Sequence, residues 1–249
     1  MGKNRKKILK CVISAFFLLL VIAAVYFFQF NAAGYRMTVP CRSAFEEIDD
    51  NIYINRSFSG SIEEAIGRID SAKERVKDFF GDLCCLEDTV IIICDDDLLL
   101  SRLGGDHDTK TCYFPAKKHY ISVSDEYFNV DILAHELTHA ELHTRLSESA
   151  QKKIPTWFDE GIALQNDYRE QYSFETWVKQ TDNGSHTVAL EDMDEASEFY
   201  AGTVEDRRFR YLNAKHEVDG WMETHKRQGL MELIDKLNNG EAFLIAYNG

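Results

Sequence analysis

The residues with the clearest chemical potential lie in the stretch DILAHELTHAELH, residues 131–143, which holds three histidines and two glutamates. Within it, residues 135–139 read His-Glu-Leu-Thr-His. Positions four apart share one face of a helix, so the imidazoles of His135 and His139 can reach one Zn²⁺ ion together. Glu136 can lie beside that ion without binding it and accept a proton from a water molecule that the ion activates. The spacing therefore predicts a zinc site with Glu136 as general base.

The residues around this motif favour the helix that the site needs. Ile132, Leu133 and Leu137 supply an apolar side, and Asn129 or Asp131 can cap the first turn. A surface helix with two histidines has the same local pattern. The prediction of a metal site therefore depends on a third protein ligand, because catalytic zinc is usually held by three.

His143 is one candidate for the third ligand. It follows His135 by eight positions, which is about 12 Å along a straight helix. One ion cannot contact both ends of that span. His143 is therefore expected to be a solvated histidine and not a ligand.

Glu160, in IPTWFDEGIALQ, is the stronger candidate. Pro155 stops the preceding segment, and Thr156 can cap a new helix that carries Glu160. If that helix packs antiparallel to the first, Glu160 completes a His₂Glu site and leaves a fourth position for water. Asp159 is the adjacent alternative, about 100° away around the same helix.

HELTH, followed about twenty residues later by WFDEGIA, resembles the gluzincin metallopeptidases. The pentapeptide matches the thermolysin-type motif, whereas W-x-x-E-G-x-A looks more like the aminopeptidase branch and the small peptidase MA-like domains. Residues 211–243 also resemble the C-terminal part of those MA-like domains. The resemblance covers about residues 50–245 and is dense over residues 119–166.

The resemblance implies His135, His139 and Glu160 as ligands of one zinc ion, Glu136 as general base, and peptide-bond hydrolysis. Two departures from the family pattern stand out. Thermolysin-type enzymes have an aspartate four residues after the ligand glutamate, which orients a histidine, and here that position is Leu164. A GAMEN-like stretch before the helix is also missing, which disfavours an aminopeptidase specificity.

Gluzincins place a tyrosine or histidine from the C-terminal lobe over the substrate carbonyl to stabilise the oxyanion. The resemblance to the family's Y-x-x-A helix start suggests Tyr211, with Tyr200 and His216 as alternatives. It also suggests that HYISVS, residues 119–124, is an edge strand that pairs with an extended substrate.

Local patterns elsewhere predict the supporting elements. Ser61 with Glu64 marks the start of an amphipathic helix that ends at Gly81. TVIIIC, residues 89–94, reads as a buried strand. Residues 111–124 read as two short strands around a Pro-Ala-Lys-Lys turn, and the alternation of the second strand, with lysines beside it, favours a sheet edge.

The order of these elements predicts an α+β fold. A mixed helix and strand lobe with a small sheet is expected over residues 31–128, and the active-site helix with a helical C-terminal part over residues 129–249. Late apolar positions at helical spacing are expected to be core. They are Val218, Trp221, Met222, Leu230, Leu233, Ile234 and Leu237.

The N-terminus predicts a membrane anchor. Residues 1–10 are basic and residues 11–30 carry no charge, which is long enough to span about 30 Å of hydrocarbon as a helix. The basic flank should stay in the cytoplasm, so that residues 31–249 lie outside it. A cleavable signal peptide is the alternative, but bulky aromatics in YFFQFNAAG stand where a cleavage site needs small residues.

The remaining chain is strongly acidic. The net charge is −14, and the first thirty residues hold five of the 28 basic residues and no acid, so the rest has 23 basic residues against 42 acidic ones. Such a domain is not expected to bind nucleic acid or anionic lipid headgroups. The expected partners are a peptide or protein substrate, and the membrane through the N-terminal helix.

The cysteines say little about the compartment. Cys11 lies in the apolar run, and an odd number of five follow it: Cys41, Cys84, Cys85, Cys94 and Cys112. No CxxC spacing occurs, and although disulfides are possible in an oxidising compartment, no connectivity is predicted. Cys94 is expected to be buried in its strand.

The sequence thus favours a membrane-anchored zinc metallopeptidase that works outside the cytoplasm. A catalytically inactive, metal-stabilised binding or scaffold module of the same fold is the alternative. An intramembrane protease is disfavoured, because HELTH lies outside the apolar segment.

Overall fold

One mixed sheet and a series of helices build the protein in a computed structural model, which describes residues 2–105, 110–113 and 118–249. This confirms the expected mixture of helix and sheet. The strands are β1 (Phe45–Asp49), β2 (Ile52–Asn55), β3 (Thr89–Cys94), β4 (Lys110–Tyr113) and β5 (His119–Ser124). The α-helices are α1 (Gly2–Phe30), α2 (Ala32–Met37), α3 (Ile62–Phe80), α4 (Asp97–Arg102), α5 (Val130–Arg145), α6 (Glu148–Gln151), α7 (Thr156–Ala163), α8 (Phe174–Gln180), α9 (Ala196–Phe199), α10 (Val204–Asn238) and α11 (Phe243–Asn248). Short 3₁₀ segments are Val39–Cys41, Leu86–Asp88, Asp125–Tyr127, Leu164–Asn166, Glu170–Tyr172 and Leu190–Met193.

The described strands form a sheet in the order β1-β2-β3-β5-β4. The three central strands are parallel, and β1 and β4 add to them antiparallel. The expectation that HYISVS is an edge strand is wrong. This strand, β5, lies between β3 and β4, and all six of its residues are buried, as suits an interior strand. The outer position belongs to β4, and most of the predicted turn at residues 115–118 lies outside the described residues.

Helices cover both faces of the sheet. On one face, Ile91, Ile93 and Ile121 pack in a core shared with α3 and α5. On the other face, Ile92 and Tyr120 pack with side chains of α2 and α4. Helix α5, which carries the HELTH residues, is therefore held directly against the sheet.

Local signals set the ends of α3 as expected. The Ser61 side chain accepts a hydrogen bond from the Glu64 amide, and Gly81 ends the helix in the left-handed conformation at φ 99°. The predicted strand at residues 89–94 is β3, and Cys94 within it is fully buried. Both predictions are confirmed.

The long helix α10 is broken at Lys226, which has the non-helical φ of 57°. Of the apolar positions predicted as core in this segment, Met222 is only partly buried, and it packs against the core. The others are buried: Val218, Trp221, Leu230, Leu233, Ile234 and Leu237. This part of α10 therefore packs its apolar side chains into the core of the helical half.

One described helix, Lys7–Phe30, is long and apolar enough to cross a membrane. It spans 24 residues with a mean hydropathy of 2.8, and its most apolar stretch is not buried within the protein. A signal sequence near an N-terminus has the same properties. Among the cysteine side chains that the structure describes, all five are free thiols.

Candidate metal centre

The HELTH residues lie on helix α5, in the interior of the protein. Asn129 caps the helix by accepting a hydrogen bond from the Ile132 amide, whereas Asp131, the other capping candidate, pairs with Arg75 at 2.6 Å. All residues from Ile132 to Leu142 are buried, because α5 packs between α3, the sheet and α7. The two histidines therefore sit on a buried helix and not on a solvated surface.

Helix α7 supplies Glu160 from the facing side. Pro155 stands at the cap position and Thr156 is already the first helical residue, so the expectation that Thr156 caps this helix is wrong. Gly161 lets α7 approach α10 closely. A Cβ at Gly161 would lie 2.5 Å from Val218 Cγ2 and 2.7 Å from the Ala214 carbonyl oxygen. The absence of a side chain at Gly161 thus permits the short distance between α7, which carries Glu160, and α10.

The structure brings His135, His139 and Glu160 together. The two Nε2 atoms lie 3.1 Å apart, and Glu160 Oε2 lies 3.3 Å from each of them. All three side chains are buried, and this group could hold a metal ion. Ligand atoms at 2.0–2.1 Å from a tetrahedral zinc ion stand about 3.3 Å apart. The triangle of donor atoms therefore has the size that such an ion needs.

Glu160 Oε2 supports the same fit. This buried oxygen has no well-oriented hydrogen bond within the described residues, although it points at both imidazoles. A buried carboxylate oxygen without a partner is costly, and a cation between the three groups would satisfy it. Two imidazoles and one carboxylate also match the donor set of many catalytic zinc sites.

Asp159 does not join the donor triangle but orients it. Its Oδ1 lies 2.8 Å from His139 Nδ1, and its Oδ2 lies 2.8 Å from His143 Nε2. A carboxylate on the distal nitrogen fixes the ring orientation and tautomer of a ligating histidine. The expectation that His143 is solvated is wrong, because it lies against Asp159 with only 10% of its side chain exposed.

Asp167 lies near the other histidine but is not hydrogen-bonded to it. Its Oδ2 lies 3.9 Å from His135 Nδ1, and Arg169 holds its carboxylate with contacts of 2.9 and 3.0 Å from Nε. Leu164, the position where thermolysin-type enzymes carry their orienting aspartate, is fully buried in the core. Within the described residues, His135 Nδ1 is buried and has no hydrogen-bond partner, so His135 lacks the carboxylate support that Asp159 gives to His139.

The three candidates for oxyanion stabilisation have different contacts. The Tyr200 hydroxyl donates a hydrogen bond to Glu160 Oε1, so this tyrosine supports a donor of the triangle. The Tyr211 ring lies 6.4 Å from the His135 ring. His216 stacks on Trp177 with ring centroids 3.5 Å apart, away from the histidine pair. Of the three, Tyr211 is the one whose ring contacts His135, and its hydroxyl is not the one that donates to Glu160.

Burial keeps both tyrosine hydroxyls protonated. Burial first, and then the negative charge of Glu160, raise the pKa of Tyr200 and of Tyr211. A phenol with a raised pKa remains a hydrogen-bond donor throughout the pH range in which proteins work. Tyr211 can therefore donate to a negative oxygen that develops nearby.

The carboxylates of the site stay ionised despite their burial. Burial raises the pKa of Glu160, but the positive charge on His139 and the approach of both imidazoles outweigh it and lower that pKa to about 2. The pKa of His139 is raised, since Asp159 and Glu160 outweigh its burial. The buried imidazole of His139 and the two carboxylates therefore favour each other's charged forms.

A cleft of 610 Å³ gives access to the group. His135 and Glu136 line it together with Tyr200 and Tyr211. The predicted base and the predicted oxyanion donor therefore share one cavity with His135. His216 is not among the residues that line this cleft.

Sequence reasoning missed the surrounding groups Asp159, Asp167 and Tyr200 in the roles that the structure gives them. A local signal existed for Asp167, since an acid two residues before Arg169 can form a buried pair with it. Asp159 was visible as an acid next to Glu160, about 100° around the helix, which directs it at a different partner. Tyr200 gave no such signal, because only tertiary packing brings it to Glu160.

No protein-family model matches the chain, and a search of curated proteins gives no match to its sequence.

Proposed function

We propose that the chain is a zinc-dependent metallopeptidase of the gluzincin type. The observation that carries the proposal is the donor triangle of His135, His139 and Glu160, which has the dimensions of a tetrahedral zinc site and adjoins a cleft lined by Glu136. The resemblance of HELTH and WFDEGIA to gluzincins supports the same activity.

Zinc, when bound by the three ligands, would polarise a peptide carbonyl and make a water molecule more acidic. Glu136 accepts a proton from the attacking water and passes it to the leaving amine. Tyr211, kept protonated by its surroundings, donates a hydrogen bond to the developing oxyanion. Asp159 and Tyr200 hold His139 and Glu160 in position.

The N-terminal helix suggests where this chemistry takes place. We propose that residues 11–30, within the apolar helix Lys7–Phe30, anchor the chain in a membrane, with residues 1–10 in the cytoplasm and the peptidase part outside. A tag fused before residue 1 should remain on the membrane-bound protein. Its loss from the mature chain would show instead that the helix is a cleaved signal sequence.

Glu136→Gln tests the proposed reaction. The full-length chain in a neutral detergent is expected to cleave a mixed peptide library, and a zinc chelator should abolish this cleavage. Glu136→Gln should lower kcat by about 10²–10⁴-fold, because the amide cannot accept the proton. Zinc content should be unchanged, since Glu136 is not part of the donor triangle.

Glu126→Gln is the matched control. Glu126 is an exposed glutamate just before the cleft-lining Tyr127, and its substitution removes the same charge without touching the triangle. Full activity is expected. Cleavage by Glu136→Gln at the rate of the unsubstituted chain would exclude Glu136 as the base. An absence of chelator-sensitive cleavage in the unsubstituted chain would instead favour a metal-stabilised binding module.

A further inference from the structure

The cleft beside the donor triangle carries more positive than negative charge, although the chain as a whole has a net charge of −14. Three arginines line it, Arg169, Arg207 and Arg208, whereas Glu136 is the one carboxylate among its lining residues. In an acidic protein, a basic lining at this place marks the cleft as a site for negative groups.

The three arginines are not equivalent. Arg169 is already paired with Asp167, its Nη2 lying 2.5 Å from Oδ2. Within the described part of the chain, Arg207 and Arg208 form no side-chain hydrogen bond and no ion pair, and Arg207 is half-buried. By contrast, Arg75 is paired with Asp131 at 2.6 Å. Arg207 and Arg208 thus retain their donor capacity for a ligand.

The backbone that carries this pair is fixed. Thr203 and Asp206 form a reciprocal capping box at the start of α10. Arg210, one turn after Asp206, donates hydrogen bonds to the carbonyl oxygens of Phe199 and Ala201. Two guanidinium groups therefore project from a well-anchored first turn, which limits the entropy lost when they bind a ligand.

We propose that Arg207 and Arg208 form a carboxylate-recognition subsite that directs the peptidase to acidic peptides. The inference rests on the proposed function and adds a substrate class to it. A guanidinium binds a carboxylate with two parallel, charge-assisted hydrogen bonds, which an uncharged amide cannot match. The carboxylate can come from an aspartate or glutamate side chain or from the C-terminus of the peptide.

Four peptides of otherwise identical sequence distinguish the two sources. They carry either Glu or Gln at one position near the cleaved bond, each with a free or an amidated C-terminus. The full-length chain should show a kcat/KM about tenfold or more higher for the peptides with the recognised carboxylate. If the side chain is recognised, the Glu peptides are preferred. If the terminus is recognised, the free-acid peptides are preferred.

The double substitution R207Q/R208Q should remove this preference. R207K/R208K should keep part of it, because lysine retains the charge but not the paired donors. The control is K152Q/K153Q, which removes two charges from an exposed pair of neighbouring residues that do not line the cleft. It should not alter the preference.

A binding measurement keeps this test separate from the test of peptidase activity. Fluorescence anisotropy with labelled peptides on Glu136→Gln protein should show tighter binding of a carboxylate peptide than of the amidated Gln peptide, and R207Q/R208Q should abolish the difference. Equal affinity for all four peptides would overturn the subsite, whether or not the unsubstituted chain cleaves them. Selective binding without cleavage would support the subsite and refute the peptidase.

Discussion

Two groups of side chains that could hold a metal ion occur among the described residues, and they differ in what supplies the positive charge. His135, His139 and Glu160 form one, and Asp82, Cys84 and Glu141 form the other. In both, the possible ligand atoms lie within 4.8 Å of one another. Distance alone therefore does not separate a metal site from an ordinary polar cluster.

In the second group an arginine already takes the place of a cation. Arg145 Nη2 lies 2.6 Å from Glu141 Oε1, and it also donates to Asp82 and contacts Cys84 Sγ. The other oxygen of Glu141 accepts hydrogen bonds from the amides of Cys84 and Cys85. Every strong acceptor in this cluster has a donor, so it needs no metal.

In the first group no arginine or lysine of the described chain contacts the triangle. Its positive charge must come from a proton on an imidazole or from a bound ion. The comparison teaches that the lack of an arginine or lysine among clustered ligands, and not their proximity, distinguishes a candidate metal site.

Removing Arg145 should have the largest effect on stability. In Arg145→Met the buried carboxylate of Glu141 loses its counter-charge, which should lower the free energy of unfolding by about 3–5 kcal/mol. Chemical denaturation of the chain measures it. Zinc content should not change, because this cluster is structural.

The double variant Arg145→Met with Glu141→Gln provides the control. Glutamine keeps an acceptor for the amides of Cys84 and Cys85 but carries no charge, so part of the lost stability should return. If Arg145→Met loses its zinc but unfolds with the free energy of the unsubstituted chain, then the cluster of Asp82, Cys84 and Glu141 binds the metal, and the assignment of the two clusters is wrong.

The elements of the fold were predictable where short-range signals decide them. Ser61 and Gly81 act within one helix turn of the ends of α3, and the β-branched run of β3 indicates burial without further information. The position of β5 was not predictable in the same way. Which strand lies at the edge depends on the pairing of β4 with it, and its alternation of residue types does not report that pairing.

The residues of the candidate site likewise fall into those that local sequence places and those that only tertiary packing places. The spacing of His135 and His139 is a property of one helix, so the sequence alone places them on one face. Glu160 was proposed from its place on a second apolar helix that could pack against the first, and the resemblance of WFDEGIA to gluzincins supported the proposal. Tyr200 and Asp167 reach the site through tertiary packing, and no fixed spacing connects them to the histidines.

Asp159→Asn should weaken the metal site without removing a ligand. Asparagine retains an oxygen that can face His139 but loses the charge that makes the imidazole a better donor. Zinc affinity, measured by competition with a chromophoric chelator, should fall by about 10–100-fold. Asp192→Asn, at an exposed aspartate, should leave the affinity unchanged. An unaltered affinity in Asp159→Asn would show that Asp159 has no orienting role.

His119, a buried histidine outside both clusters, should have a lowered pKa, whereas the pKa of His139 is raised. Burial, together with the nearby His143, lowers the pKa of His119 to about 4. The folded state therefore favours neutral His119, and stability is retained above the unfolded pKa of about 6.5 and lost as the pH falls toward 4. Between pH 7 and pH 5 this loss should reach about 2 kcal/mol.

His119→Gln should remove that part of the pH dependence, since glutamine can still face the Thr144 hydroxyl that lies 2.9 Å from His119 Nε2. Unfolding by denaturant at pH 7 and at pH 5, on metal-free protein, measures the difference. The same slope in the variant and in the unsubstituted chain would contradict the assignment to His119.

The zinc content of three proteins tests the central claim most directly. Full-length unsubstituted chain, Glu160→Gln and Glu141→Gln are prepared in zinc-containing buffer, dialysed, and measured by elemental mass spectrometry. One zinc per chain is expected in the unsubstituted protein and in Glu141→Gln, and less than about a tenth of that in Glu160→Gln, which loses a charged ligand. Zinc retained in full by Glu160→Gln, or absent from the unsubstituted chain, would contradict the assignment of His135, His139 and Glu160 as the metal centre.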